Sequence, residues 1–156
     1  MKVILNKCYG GFGVSFEAYK LYAEKKGIEL YPYMEDNSNY ISKGETIYHK
    51  TDWSEPDWSD IRLNRIAHYF TKDLGETILE NKNNKSEFNK LYKNYSLYIN
   101  GKYRTDPILI EVVEELGEKA NGRFADLQVV EIPDGMEYTI DDYDGVETLH
   151  ESVRVW

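Results

Sequence analysis

The apolar run Val3-Ile4-Leu5, followed by the polar pair Asn6-Lys7, predicts a buried strand over residues 2–7. Glycines at 10, 11 and 13 then make a turn, and Ser15 has the chemistry of a helix N-cap, with Val14 placed to staple onto Tyr19. Over residues 16–26, Tyr19, Tyr22, Ala23 and Lys26 share one helical face, and Gly27 stops the helix. From residue 28 to 33, Ile28, Leu30 and Pro32 alternate with Glu29, Tyr31 and Tyr33, the pattern of a second strand. A right-handed crossover would set the two strands parallel in a β-α-β unit. Pro32 implies that the second strand lies at an edge or is about to end.

Periodicity then weakens. Residues 34–60 are polar with isolated aromatics (Tyr40, Tyr48, Trp53, Trp58), which predicts mostly loop, with a short hairpin around Lys43-Gly44. Residues 66–71 read as a strand, and Ser86 as the cap of a short helix carrying Phe88, Leu91 and Tyr92. Asn100-Gly101 between strand-like runs predicts a tight hairpin. Asp106-Pro107 opens a helix with Leu109, Val112, Val113, Leu116 and Ala120 on its apolar face, ending at Asn121-Gly122. Its Glu111, Glu114, Glu115 and Glu118 form a solvated face. Residues 127–132 make a strand closed by Pro133-Asp134-Gly135, and residues 136–151 alternate around Asp144-Gly145 as a hairpin. The expected fold is α+β or α/β: a mixed β-sheet with a β-α-β start, two covering helices and a C-terminal antiparallel hairpin. Residues 1–156 are expected to form a single domain, with 34–100 as a variable insertion or lid-like segment.

Charge narrows the partners. A net charge of −9 argues against general nucleic-acid binding through a basic surface. It leaves room for mimicry of nucleic acid or docking on a basic partner. Cys8 is the only cysteine, so no internal disulfide can form, and His49, His68 and His150 lack metal-ligand spacing. Neither a signal peptide nor a membrane span is expected, so the protein is read as cytoplasmic, with no cofactor and no metal.

The glycine turn is the first candidate site. Glycine lets backbone N–H groups approach a ligand closely, and a helix start attracts phosphate or carboxylate. The spacing fits neither G-x-G-x-x-G nor the phosphate-loop pattern, so a tight turn without a ligand is an equally direct reading. As an anion or nucleotide cradle, the site would use Asn6, Lys7, Tyr9, Gly10, Gly11 and Phe12, together with Arg104, Asp106 and Arg123. Lys7, Arg104 and Arg123 would meet phosphate, and Tyr9 or Phe12 would stack on a base. Lys7→Ala and Arg104→Ala would then weaken capture and leave the fold intact. Lys7 beside Cys8 near a helix start can lower a thiol pKa, but without a paired base an enzyme using Cys8 ranks lower.

Leu5-Asn6-Lys7-Cys8-Tyr9-Gly10-Gly11-Phe12, Arg104-Thr105-Asp106-Pro107, residues 112–117, Val130-Glu131-Ile132-Pro133-Asp134 and Tyr143-Asp144-Gly145 together resemble a widespread group of small phage- and prophage-encoded proteins. The resemblance covers both ends of the chain well and residues 34–100 poorly. It implies an accessory role such as countering a host defence. Two partner classes follow: a nucleotide-derived signalling molecule sequestered without catalysis, or a host defence protein bound by an acidic inhibitor. The terminal Trp156 makes a homo-oligomer conceivable.

Overall fold

The computed structural model describes residues 1–54 and 63–152. In chain order the elements are β1 (Lys2–Asn6), α1 (Phe16–Lys26), β2 (Tyr31–Asp36), α2 (Tyr40–Lys43), β3 (Thr46–Lys50), β4 (Leu63–Phe70), β5 (Thr77–Glu80), α3 (Lys85–Tyr95), α4 (Pro107–Leu116), β6 (Leu127–Glu131), β7 (Tyr138–Tyr143) and β8 (Val146–Glu151). This is the expected mixture of helix and sheet, with the expected C-terminal hairpin. The chain divides into two compact units, Met1–Lys26 with Ile99–Trp156, and Gly27–Tyr98. They are called unit 1 and unit 2.

In unit 1, β1 pairs antiparallel with β6, from Lys2 opposite Glu131 to Asn6 opposite Leu127. Val3, Ile4, Leu5 and Asn6 are all buried, so the strand is covered on both faces. The parallel crossover expected for β1 and β2 is not found, and every strand pairing described is antiparallel. The other edge of β1 is already taken. The Ile4 N–H donates to the Arg104 carbonyl at 2.9 Å, and the Ile4 carbonyl accepts from Arg104 Nη1 at 3.1 Å. The Asn6 N–H donates to Glu147 Oε1 at 2.8 Å. One backbone stretch and two side chains thus stand where a third strand would lie, which leaves β2 no edge to join.

Ser15 caps α1 as expected, its Oγ accepting from the Ala18 N–H at 3.1 Å. Asp106 caps α4 through Oδ1, which accepts from the N–H groups of Ile108 (2.8 Å) and Leu109 (3.3 Å). Its other oxygen accepts from the Tyr22 hydroxyl at 3.0 Å, tying α1 to α4. Burial and this carboxylate push the Tyr22 phenol pKa up. α4 ends at Leu116, and a short 3₁₀ turn, Gly117–Ala120, carries the buried Ala120. The glutamates of α4 meet lysines at the surface, Lys25 reaching Glu115 at 2.8 Å and Lys2 reaching Glu114 at 3.0 Å. The hairpin expected at Asn100-Gly101 is a 3₁₀ turn, Gly101–Tyr103, because Asn100 Oδ1 takes the Lys102 N–H at 2.9 Å. Gly101 answers to Arg104 instead: a Cβ there would lie 2.6 Å from Arg104 Nη2.

Unit 2 is an antiparallel sheet in the order β4-β2-β3-β5. The segment expected to be mostly loop therefore carries β3 and the short α2, joined to β2 in a hairpin. β2 is interior, not an edge. Pro32 is tolerated there because it lies past the last β2–β3 pair, Tyr33–Lys50, and its carbonyl still accepts from the Thr51 N–H at 3.0 Å. Tyr33, Tyr48, Phe70 and Ile78 pack with Phe88 of α3, backed by Leu91, Tyr92 and Tyr95. Tyr33 meets Phe70 edge-on at 5.3 Å, and Tyr48 stacks on Phe88 at 5.3 Å. α3 starts after Asn84, two residues earlier than the Ser86 cap expected, with the Asn84 amide used by Asn81 and Leu79. Trp53 stacks on Tyr69. Trp58 and Trp156 lie outside the described residues, so their expected contact roles do too.

Candidate loop site of unit 1

Asn6 organises the residues singled out in the sequence. It closes β1, is fully buried, and its side-chain amide is bonded on both ends. Oδ1 accepts from the Asp126 N–H at 2.9 Å and the Cys8 N–H at 3.4 Å. Nδ2 donates to the carbonyls of Cys8 (2.8 Å) and Gly145 (2.6 Å). One buried amide thereby pins three loops: residues 7–13 after β1, residues 121–126 before β6, and the β7–β8 turn. A buried amide with its partners supplied specifies one arrangement, and each bond lost leaves a group that water cannot reach.

Glu147 completes the clamp. Its carboxylate accepts from Arg104 Nη2 at 2.8 Å and Nη1 at 3.1 Å, besides the Asn6 N–H. The forked guanidinium matches a carboxylate in this geometry, and the Glu147 side chain is only 7% exposed. The Arg104 guanidinium also lies 5.5 Å from the centre of the Phe12 ring. Lys7 Nζ donates to the Glu147 carbonyl at 2.9 Å.

The loops meet closely. The Gly10 N–H donates to the Asp144 carbonyl at 3.2 Å. Asp144 and Gly145 have φ of +53° and +94°, the two-residue left-handed turn that matches hairpin twist. A Cβ on Gly145 would lie 2.4 Å from the Gly11 nitrogen, and one on Gly10, itself at φ +116°, would lie 2.5 Å from Phe124 Cβ. Both positions therefore need glycine for contact as well as for backbone angle.

The expected cradle residues accordingly separate. Asn6 and Arg104 are inside, bonded to protein, and Asp106 is the cap of α4. These bonds stand against the expectation that Arg104→Ala spares the fold, because that change strands the Glu147 carboxylate and removes the side-chain bond to the Ile4 carbonyl. The Gly10 amide is used by the hairpin turn, while Gly11 forms the contact with Gly145. Phe12 is half-buried beneath Arg104. Lys7, Tyr9 and Arg123 are at the surface, with the Arg123 guanidinium 5.1 Å from the centre of the Phe124 ring. Cys8 is free and half-buried.

Glu147, Phe124 and Tyr143 were missed. The alternation of β8 held a signal for Glu147, since it falls in step with Leu149, on the face turned to the core. Three aromatic rings stand exposed on the three pinned loops: Tyr9 (62%), Phe124 (61%) and Tyr143 (77%).

Comparison with known proteins adds no family. No family model matches the chain, and neither a curated protein nor a solved structure matches it. Among the described residues, no helix is long and apolar enough to cross a membrane, and no group of three or more His, Cys, Asp or Glu is placed to hold a metal ion.

Proposed function

We propose that the chain is a binding protein that acts without catalysis, through the end of unit 1 where the three pinned loops meet, and that it serves as a phage accessory protein countering a host defence in the host cytoplasm. The observation that carries this reading is the exposure of Tyr9, Phe124 and Tyr143 on backbone held by Asn6 and Glu147. Exposed rings are ordinary one by one, but rings carried on backbone that is already held match the anchors of recognition surfaces, where little freedom remains to be lost on binding.

A nucleotide-derived signal is the second reading of the ligand, favoured by the Arg123 guanidinium lying over the exposed Phe124 ring and by the surface ammonium of Lys7. Native mass spectrometry of protein purified from cells making cyclic nucleotide signals separates the two. An intact nucleotide released on heating, and absent from Tyr9→Ala/Phe124→Ala protein, supports sequestration. A co-purified protein lost from the same variant supports inhibition of a host complex. Ligand retention by that variant would count against the loop site itself.

A further inference from the structure

We infer that the ligand of this end is a basic protein surface, with the β7–β8 tip and its Tyr143 as the inserted element; the inference rests on the contact end proposed above. Charge decides the occupant. Loops 7–13 and 121–126, with the end of β7 and its turn over residues 141–145, carry the cations Lys7 and Arg123 against the carboxylates Asp126, Asp141, Asp142 and Asp144. Arg104 adds nothing to this balance at the surface, because its charge is matched by Glu147 at 2.8 Å. Lys7 directs its ammonium at the Glu147 carbonyl. An excess of negative charge on a chain of net charge −9 opposes an approaching phosphate and steers a lysine- or arginine-lined surface inward.

The tip is also built to be presented. Gly10 bonds the Asp144 carbonyl, Asn6 bonds the Gly145 carbonyl, and the Gly145 N–H donates to Asp142 Oδ1 at 2.8 Å. On the outer side of the ribbon Asp141 meets His150 at 3.0 Å. Tyr143 is therefore an exposed aromatic next to a fixed turn, with Asp141, Asp142 and Asp144 beside it in the chain. The complementary partner has an apolar slot for a phenol, bordered by Lys and Arg.

The test uses the full chain and two probes, an arginine-rich peptide of about 20 residues carrying interspersed leucines and an ADP-ribose nucleotide, titrated at low and moderate salt. Asp141→Asn/Asp144→Asn removes two charges from the tip while keeping an acceptor for His150 and a turn-compatible Asn-Gly pair. Glu24→Gln/Glu118→Gln removes two exposed charges elsewhere in unit 1. The tip pair and Tyr143→Ala are each expected to weaken peptide binding about tenfold, and the control pair less than about twofold. Equal losses from tip and control would reduce the binding to net charge and overturn the inference, as would an unaffected tip variant. Nucleotide binding that improves when the tip acids are neutralised would overturn the basic partner and leave the contact end standing. Tyr9→Ala/Phe124→Ala protein that binds both probes like the parent would overturn the contact end as well.

Discussion

In unit 1 the deepest polar groups, Asn6 and Glu147, hold loops and the edge of β1 that no strand takes, whereas in unit 2 polar groups such as the Tyr33 hydroxyl and the His68 imidazole ride on rings that already pack together. The Tyr33 hydroxyl donates to the Gly75 carbonyl at 2.7 Å and accepts from the Leu74 N–H at 3.0 Å, but its ring is fixed by Phe70 regardless. His68 bridges Tyr92 (3.0 Å) and Glu35 (3.1 Å) beside the stacked Tyr48 and Phe88. Polar bonds in unit 2 tune a core made by ring burial. In unit 1 they replace a strand, and that makes them harder to remove than their surface-like residue types suggest.

The sharpest way to break this contrast is Arg104→Ala. Removing one partner of a buried bidentate pair is expected to destabilise unit 1 by about 3–5 kcal/mol in urea unfolding. A loss under about 1 kcal/mol would place Arg104 back among surface cations and undo the contrast. In unit 2 the larger effect should come from apolar truncation: Ile78→Ala, at a buried position of β5, is expected to lose about 2–3 kcal/mol. Tyr33→Phe keeps the ring and drops only the hydroxyl, so about 1 kcal/mol is expected, measured the same way. If Tyr33→Phe cost more than Ile78→Ala, unit 2 too would depend on its polar bonds.

The smallest effect is a pH dependence. The His68 hydrogen bond, working against burial, holds the Glu35 carboxyl below its ordinary value of 4.5. A carboxylate depressed in the folded state binds fewer protons than in the unfolded chain, so its contribution is complete above that ordinary value and disappears as pH falls through the lower folded one. Acid unfolding followed by tyrosine fluorescence should therefore show a weaker pH slope below 4.5 in Glu35→Gln than in the parent. Identical slopes would remove Glu35 from the account.

Local signals were readable where one short stretch determined its own conformation. Asp106-Pro107 announced α4, Ser15 capped α1, and Asp144-Gly145 between alternating residues made the hairpin. What escaped was pairing between distant segments. Nothing near β1 says that β6 takes one edge while Arg104 and Glu147 take the other, so a nearby parallel partner was the natural expectation. The β3 strand was hidden because its buried Thr46 and Tyr48 alternate with half-buried Ile47 and His49, giving little hydrophobic contrast. In the candidate site the sequence does not tell which way a side chain turns: Asn6 and Arg104 turn inward, and the rings of Phe124 and Tyr143 are exposed.

Polar bonds lock the three loops of unit 1 that carry the exposed rings. NMR-detected amide exchange on the intact chain tests it most directly, through the N–H groups of Asn6, Cys8, Gly10, Asp126 and Gly145. Bonded as they are to Glu147, Asn6, Asp144 and Asp142, they are expected to exchange far more slowly than open loop amides, with Asn6 and Asp126 close to the β1 core. Exchange at the rate of an unstructured chain at these five positions would contradict the clamp, and with it the fixed presentation of Tyr9, Phe124 and Tyr143.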